Sequence, residues 1–520
     1  MAKKAARFNG QALPIACLAL LVVIMCISTE NRFACAQEAD FRSRAAIPDP
    51  SIVPDGGRGH GPGQEVMIAP MPWGAPLPQG RVIPAANQEV ISFSKALALV
   101  SGQNPQVAFA NEQIRGAFAQ LRGARVLWLP SIQAGINYQN HDGPLQNSNG
   151  TITDANRSAL EAGLGMYAVG GGAPAIPGVS AKFAVADAVF QPRIAGQQVA
   201  AQQHAATATS HDFLLNTAVA YLNLLRAFQQ QSIAQETLDN ARRLADVTAA
   251  FARAGQGNQA DADRMQTEVA VRRNALAQAT AQVQIASATL VELLNLPPDR
   301  TLVPEEPTIV PIELVSHDAD AGQLLNDGLS HRPEIAQSRH LICAAEEQLD
   351  RERYAPLLPN VLVDVSQSGY GGGTGSTVTD YTGRFDFDAT AYWQLRNFGL
   401  GEVAAREGAR SKLEQVRLIQ IRLTNQVSRE IIEAHAQSQS LRGQIIVAES
   451  GIRVAGDSYQ RNLQRIRGGQ GLPLEALQSI QALDQSRREY LRAVGDYNEW
   501  QFRLYRALGC PIPQGASPAQ

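Results

Sequence analysis

Two short stretches of the chain carry the charged side chains that stand out by type and spacing. The first reads Arg253-Ala254-Gly255-Gln256-Gly257-Asn258-Gln259-Ala260-Asp261, with Asp263 just beyond it. The second reads Arg467-Gly468-Gly469-Gln470-Gly471-Leu472-Pro473-Leu474-Glu475, with Arg465 just before it. Each runs from arginine through glycines to a carboxylate. Glycine supplies the left-handed backbone that a tight turn between helices requires, and an acidic residue past the turn suits the positive end of a helix. The chemistry available here is ion pairing and attraction of counter-ions. Bond-making chemistry finds no support: there is no nucleotide-binding glycine loop and no pair of histidines one helical turn apart. His204 and His211 read as polar surface, and Cys343 and Cys510 are too isolated for a metal site. Gly371 to Gly375 lies between two strand-like segments and reads as a hairpin loop. The expectation is a protein that is not an enzyme and that uses no cofactor or metal.

Helices must frame those turns. Val269, Leu276, Val283 and Leu290 recur every seven residues, accompanied by Ala279, Ala286 and Leu293. Leu483, Tyr490, Tyr497 and Leu504 repeat the seam, accompanied by Ala493, Trp500 and Ala507. Heptads of this kind mean left-handed coiled-coil packing, although an ordinary helical bundle shows the same seam. Residues 193–253 read as one helix of about 61 residues, roughly 90 Å long, and 399–467 as one of about 69. Two shorter helices laid end to end match the first in length, 105–127 with 258–296 at about 62 residues, and come to about 61 against the second, 333–356 with 472–508. Helices near 100 Å do not fit a compact domain and point to a long tube or rod.

Between each short helix and its long partner the periodicity changes to two. In residues 384–393, Phe385, Phe387, Ala389, Ala391 and Trp393 share one face, with Arg384, Asp386, Asp388, Thr390 and Tyr392 on the other. Val361, Val363 and Val365 make the partner strand, and Gly369 to Thr379 reads as a glycine-rich connection. The first half offers Ile132, Ala134, Ile136 and Tyr138, then Leu160, Ala162, Leu164 and Met166, separated by a polar loop from His141 to Asn156. This is the pattern of a membrane barrel wall, and also that of a soluble half-buried hairpin. Counting adds a constraint. Two hairpins give four strands per chain, whereas closed membrane barrels have about eight or more, and open sheet edges are not tolerated in lipid. Strands placed in a membrane would have to be shared among chains, three chains giving twelve.

The chain carries one plan twice. Lys95-Ala96-Leu97, Asn104-Pro105-Gln106-Val107 and Trp128-Leu129-Pro130 correspond to Gln323-Leu324-Leu325, Arg332-Pro333-Glu334-Ile335 and Leu357-Leu358-Pro359. Both copies then reach their glycine turn and end on Leu293-Leu294-Asn295-Leu296 or Ala507-Leu508-Gly509-Cys510. Such duplication divides the chain into a first repeat, 89–315, with hairpin strands about 131–190, and a second, 316–510, with hairpin strands about 360–395.

Ahead of the repeats, Lys3, Lys4 and Arg7 precede an apolar run from Leu13 to Ile27 and an Ala34-Cys35-Ala36 site. That is the layout of an export signal, residues 1–36, cleaved after Ala36. A retained anchor is the alternative, and lipidation at Cys35 is opposed by Arg32 where an aliphatic residue is wanted. Residues 37–88 are rich in Pro and Gly and read as a disordered leader; 511–520 read as a disordered tail. The whole chain of 520 residues has a formal charge of −3, and without 1–36 it keeps 41 basic against 47 acidic residues. That balance excludes a basic nucleic-acid surface. Five cysteines in this length exclude a disulfide-built scaffold.

Signal, tandem repeat, hairpins and very long helices together resemble the outer-membrane efflux protein family, the TolC-like channels. The resemblance spans about residues 90–510. It is carried by the Leu-Pro entries Leu129-Pro130 and Leu358-Pro359 and by the hairpin exits Val189-Phe190-Gln191-Pro192-Arg193 and Trp393-Gln394-Leu395-Arg396-Asn397-Phe398-Gly399. The two glycine tips complete it. It implies a mainly α protein with transmembrane β: antiparallel coiled-coil helices forming a periplasmic tunnel, plus four strands per chain of a trimeric twelve-stranded barrel. It also implies a homotrimer in the outer membrane that docks on a periplasmic adaptor and, through it, an inner-membrane pump. Such a channel conducts drugs, metals or proteins passively. On the family pattern Asp261, Asp263 and Glu475 stand near the periplasmic aperture, as rings of carboxylates under three-fold symmetry. Arg253, Arg465 and Arg467 would pair with them in a closed state. Gly255, Gln256, Gly257, Gly469, Gln470 and Gly471 would meet the adaptor, while Phe385, Phe387 and Trp393 would face lipid. Two positions depart from the pattern: Gly471 replaces a bulkier or basic tip residue, and Gln478 replaces a second acid. The competing reading is a periplasmic coiled-coil scaffold or adaptor without a pore, which needs no amphipathic strands.

Overall fold

The computed structural model describes residues 88–166, 176–177, 179–468 and 471–512. The segment 1–36 expected to be an export signal, the expected leader as far as residue 87, residues 513–520 of the tail, and Gly469 and Gln470 lie outside the described residues.

Strand β1 (Gln88–Ile91) leads into helix α1 (Phe93–Gln103), whose first turn is capped by the Ser92 hydroxyl accepting from the Lys95 amide. Helix α2 (Pro105–Arg125) starts on Asn104, which accepts from the Gln106 amide. The same side chain donates to the Leu293 carbonyl at 3.1 Å. Strands β2 (Ser131–Ile132), β3 (Ala134–Gln146), β4 (Ile152–Met166), β5 (Ile176–Pro177) and β6 (Val179–Ala184) follow. Helix α3 (Val185–Arg253) then turns into α4 (Gln259–Leu293), and β7 (Thr301–Pro304) pairs in parallel with β1. The second repeat gives α5 (Ala321–His331), α6 (Pro333–Tyr354), β8 (Asn360–Thr374), β9 (Thr379–Tyr392), α7 (Leu400–Arg467) and α8 (Pro473–Ala507). Helices α3 and α7 have 69 and 68 residues, about 100 Å each at 1.5 Å per residue. Helices α2 and α4 both pack on α3, and α6 and α8 both pack on α7. The Asn104–Leu293 bond is the joint that holds α4 and α2 end to end.

The heptad seams face inward. Val269, Ala279, Val283 and Leu290 are buried, as are Leu483, Tyr490, Tyr497 and Leu504. The main core lies where the β1–β7 pair and α1 close over the helices: Phe93 packs edge-on against Tyr221 and also meets Phe502. Asn498 and Gln501 stitch the linker between repeats to this core. Asn498 accepts from the Ile312 amide and donates to the Val310 carbonyl, and Gln501 accepts from the Leu314 and Val315 amides. Burial pushes the Tyr490 and Tyr497 phenols up to about 12.

The strands run longer than the alternation alone indicates. The segment read as a polar loop from His141 to Asn156 is mostly strand: β3 and β4 stay in register to Gln146↔Ile152, leaving a five-residue turn. The glycine run also belongs to a strand, since β8 continues to Thr374 and pairs with β9 down to Gly372↔Thr379. The glycines are there because Tyr381 lies over them: a Cβ on Gly369 would stand 2.5 Å from its ring, and one on Gly371 2.8 Å. An aromatic ring covering strand glycines compensates for their missing side chains. Strands β3, β4 and β8 are thus 13 to 15 residues long.

Helix α3 also starts earlier than the position after Pro192 that the sequence suggested. It begins at Val185 and contains the proline. Proline cannot donate to the carbonyl four residues back, here that of Ala188. The Trp128 indole does so instead, Nε1 to O at 3.2 Å, so no buried acceptor is stranded.

Candidate functional site

At the first tip, α3 ends in a left-handed Gly255 with φ +71°. The Gln256 amide reaches back to the Phe251 carbonyl at 3.0 Å and the Ala254 amide to that of Ala250. This satisfies carbonyls that a helix end leaves open. Gly257 is needed for close approach, because a Cβ there would lie 3.2 Å from the Ala252 nitrogen and the Phe251 Cβ. Asn258 caps α4 through its side chain, accepting from the Ala260 amide at 3.1 Å. Asp261 sits in the first turn of α4, and Asp263 accepts from Gln259 at 3.0 Å.

The second tip reaches the same shape by other means. A Cβ on Gly471 would lie 2.8 Å from the Ile466 nitrogen, which gives a local reason for glycine at this position. Leu472 stands at the N-cap without a side-chain bond, and Pro473 opens α8 with φ already set for a helix. Arg465 and Glu475 pair across the turn, Nη1 to Oε2 at 3.0 Å, and Asn462 donates to the Glu475 carbonyl at 3.4 Å. Of the arginines and carboxylates singled out in the sequence, this is the one pair formed among the described residues. Arg253 instead donates to the Ala249 carbonyl, and Arg467 is exposed.

A second charged group, not singled out from the sequence, lies deeper between the two hairpins. Asp484 of α8 is buried and receives Arg272 of α4 at 3.0 Å and Arg488 at 2.9 Å, with the Thr237 hydroxyl of α3 at 3.3 Å. Arg272 also holds Glu268 at 2.7 Å, which accepts from Gln481 of α8. Arg487 of α8 reaches Glu236 of α3 at 2.9 Å. These contacts clasp the α3–α4 hairpin to α8. The available signal was Asp484 next to a seam leucine, with Arg488 one turn on.

At the other end of the helices, β9 pairs with β8, which pairs with β6 along its first part and β4 along the rest. Beyond them lie β2 and β3. The sheet is thus four strands wide at each level, and among the described residues β9 on one side and β2 and β3 on the other have an unpaired edge. One face is apolar and bare: Phe385, Phe387 and Trp393 are 64, 60 and 64% exposed, and Ile132 and Ile136 73 and 71%. The opposite face carries Arg384 paired to Asp386 at 2.8 Å. A bare apolar face of this extent marks contact with something other than water.

Elsewhere, His204 stacks on His340 of α6 with centroids 5.3 Å apart, and burial lowers both pKa values. His211 is likewise lowered by burial. Cys510 is half-buried at the end of α8, and burial raises its thiol pKa. No group of three or more His, Cys, Asp or Glu among the described residues is placed to hold a metal ion. No described helix is long and apolar enough to cross a membrane.

The profile of the outer membrane efflux protein family matches residues 177–296 and 324–510. No curated protein is significantly similar in sequence. Among solved structures, a membrane protein from Pseudomonas aeruginosa superposes with a TM-score of 0.67 at 18% identity, covering 80% of this chain and 93% of its own. The outer membrane protein VceC of Vibrio cholerae gives 0.66 at 17%, covering 81% and 97%. The open state of the Neisseria gonorrhoeae MtrE outer membrane channel gives 0.61 at 17%, covering 84% and 95%. At these identities the likeness is one of fold, and it extends over nearly the full length of each. With the profile spanning more than half of the residues in both repeats, the chain belongs to the outer membrane efflux protein family, TolC-like outer-membrane proteins whose helical tunnel lies in the periplasm.

Proposed function

We propose that three copies of this chain join their sheets edge to edge into a closed twelve-stranded barrel, continued by the helices as one tunnel. The observation that carries this reading is the four-strand sheet with a bare apolar face and an open edge on either side. In lipid each unpaired backbone group costs several kcal/mol, and pairing with a neighbouring copy removes that cost. Phe385, Phe387 and Trp393 then face lipid. The tunnel is the outer-membrane part of a tripartite efflux or type I secretion system. It conducts passively whatever an inner-membrane pump delivers through a periplasmic adaptor, so cargo choice lies outside this chain.

The periplasmic mouth is the ring of helix tips. Gly255, Gln256, Gly257, Gly469, Gln470 and Gly471 meet the adaptor. Asp261, Asp263 and Glu475, repeated by three-fold symmetry, concentrate cations at the aperture. Arg465, with Arg253 and Arg467, pairs with these carboxylates in the closed state, and the Asp484 group holds the hairpins together until docking shifts the balance. A scaffold without a pore is the second reading, and the bare apolar strand face speaks against it.

Single-channel recording of the purified protein in planar bilayers tests the proposal. Discrete cation-preferring steps, altered in an Asp261→Ala/Glu475→Ala variant, support a pore with its aperture at the tips. Steps unchanged by the variant move the gate elsewhere. Folded trimer that never inserts would favour the scaffold.

A further inference from the structure

The inward face of the sheet, opposite the bare apolar one, carries a depression that neither gating nor lipid contact uses. Register places Gln139, Ala159 and Gly372 in one row across β3, β4 and β8. The next row toward the hairpin turns is His141, Arg157 and Thr374, and the row on the other side is Asn137, Glu161 and Tyr370. Because Ala159 and Gly372 carry almost no side chain, the flanking rows become walls around a cavity of about 240 Å³. That is room for about eight water-sized atoms at ~30 Å³ each.

We propose that this cavity binds a small oxyanion, a carboxylate or phosphate group on a solute of about that size. Its polar lining is Gln139, His141, Arg157, Ser158 and Tyr370, with no carboxylate among the described lining residues. Glu161 in the neighbouring row is buried and accepts from the Ser368 hydroxyl at 2.6 Å. A second guanidinium, that of Arg384, lies 5.9 Å from the centre of the Tyr370 ring, where Asp386 holds it at 2.8 Å. Guanidinium forks match carboxylate and phosphate oxygens in pairs. The His141 Nε2 is buried without a partner. A buried nitrogen left so requires a reason, and a ligand oxygen that the ring can turn toward supplies one. A lipid phosphate does not qualify, because the cavity opens away from the lipid-facing side chains. The cavity is built within one chain; only its opening into a conducting lumen rests on the barrel proposed above. In that lumen three such sites would detain anions near the outer exit.

Titration calorimetry of the full-length protein in detergent, with pyrophosphate as probe and choline as the cationic control, tests this directly. Two variants remove the site by different routes: Arg157→Gln takes the charge, and Gly372→Val fills the floor, where an added Cβ would lie 3.3 Å from the Ser158 carbonyl oxygen. Saturable binding of pyrophosphate but not choline, weakened about tenfold or more in either variant that keeps its trimer and β-sheet signal, supports the site. No binding to the wild-type protein, or equal binding to wild type and both variants, overturns it. Bilayer recording with pyrophosphate on the outer side separates the two proposals. Binding in detergent by protein that forms no conducting steps upholds the pocket and sinks the channel.

Discussion

The two helix tips began as copies of one sequence plan and now hold the same turn by different forces. The α3–α4 tip is a backbone solution: a left-handed Gly255, a carbonyl closed by Gln256, and the Asn258 cap. Its carboxylates, Asp261 and Asp263, take no ion-pair partner among the described residues. The α7–α8 tip has no side-chain cap and relies on Pro473 and on Arg465–Glu475. A capped turn is indifferent to salt and to neighbouring charges, whereas an exposed ion pair weakens in salt. The difference suggests that the first tip is fixed and the second is the movable one.

That contrast can be broken or sharpened by mutation. The largest effect is expected from Asp484→Ala, which strips Arg272 and Arg488 of a shared buried partner. Removing one member of a buried ionic group costs about 3 kcal/mol, so a clear fall in melting temperature should accompany a larger open fraction in bilayers. An unchanged melting temperature would mean that the clasp between the hairpins lies elsewhere. Next, Gly255→Ala should cost about 1 kcal/mol through its positive φ, read by thermal unfolding, without changing conductance.

The caps should respond in opposite directions. Asn258→Ala loses about 1 kcal/mol, and Leu472→Asn, which installs the missing cap, gains a similar or smaller amount. Equal and opposite shifts in denaturant midpoint would show that the tips differ only in capping. For Glu475→Gln the stability change is expected below about 1 kcal/mol, as for most exposed pairs. Its conductance should nonetheless change, and lose part of its salt dependence. A silent Glu475→Gln would leave the first tip as the gate.

The seams differ as well, because Tyr490 and Tyr497 of the second repeat stand where the first has Leu276 and Val283. Both phenols are held up to about 12 from an ordinary 10. The unfolded chain therefore loses these protons first, and the associated stability is intact below pH 10 and lost as pH rises toward 12. At neutral pH Tyr490→Phe should change little. Between pH 10 and 12 its melting temperature should fall less than that of the wild type.

Much of the architecture was legible because periodicity is local. Heptads in 269–293 and 483–507 marked the buried seams, and the alternation in 384–393 separated the bare apolar face from the charged one. Strand ends were misjudged where composition and position disagreed. His141 and Asp142 are polar yet paired, because they lie on the outer part of a long strand. Gly369 and Gly371 look like a loop but are strand residues beneath Tyr381. The start of α3 was misplaced because Pro192 normally ends a helix, and the Trp128 indole that rescues it is 60 residues away in sequence.

The sequence by itself determined the repeat, the long helices, the two glycine tips and the two-faced strands, since each is written in spacings of a few residues. Tertiary structure alone decided which charges meet. Asp484 finds Arg272 across 212 residues, and His141 and Arg157 come to share a cavity with Tyr370 only through strand register. A side chain's partner depends on how distant elements pack, and that packing is fixed by the whole core rather than by any one stretch of the chain.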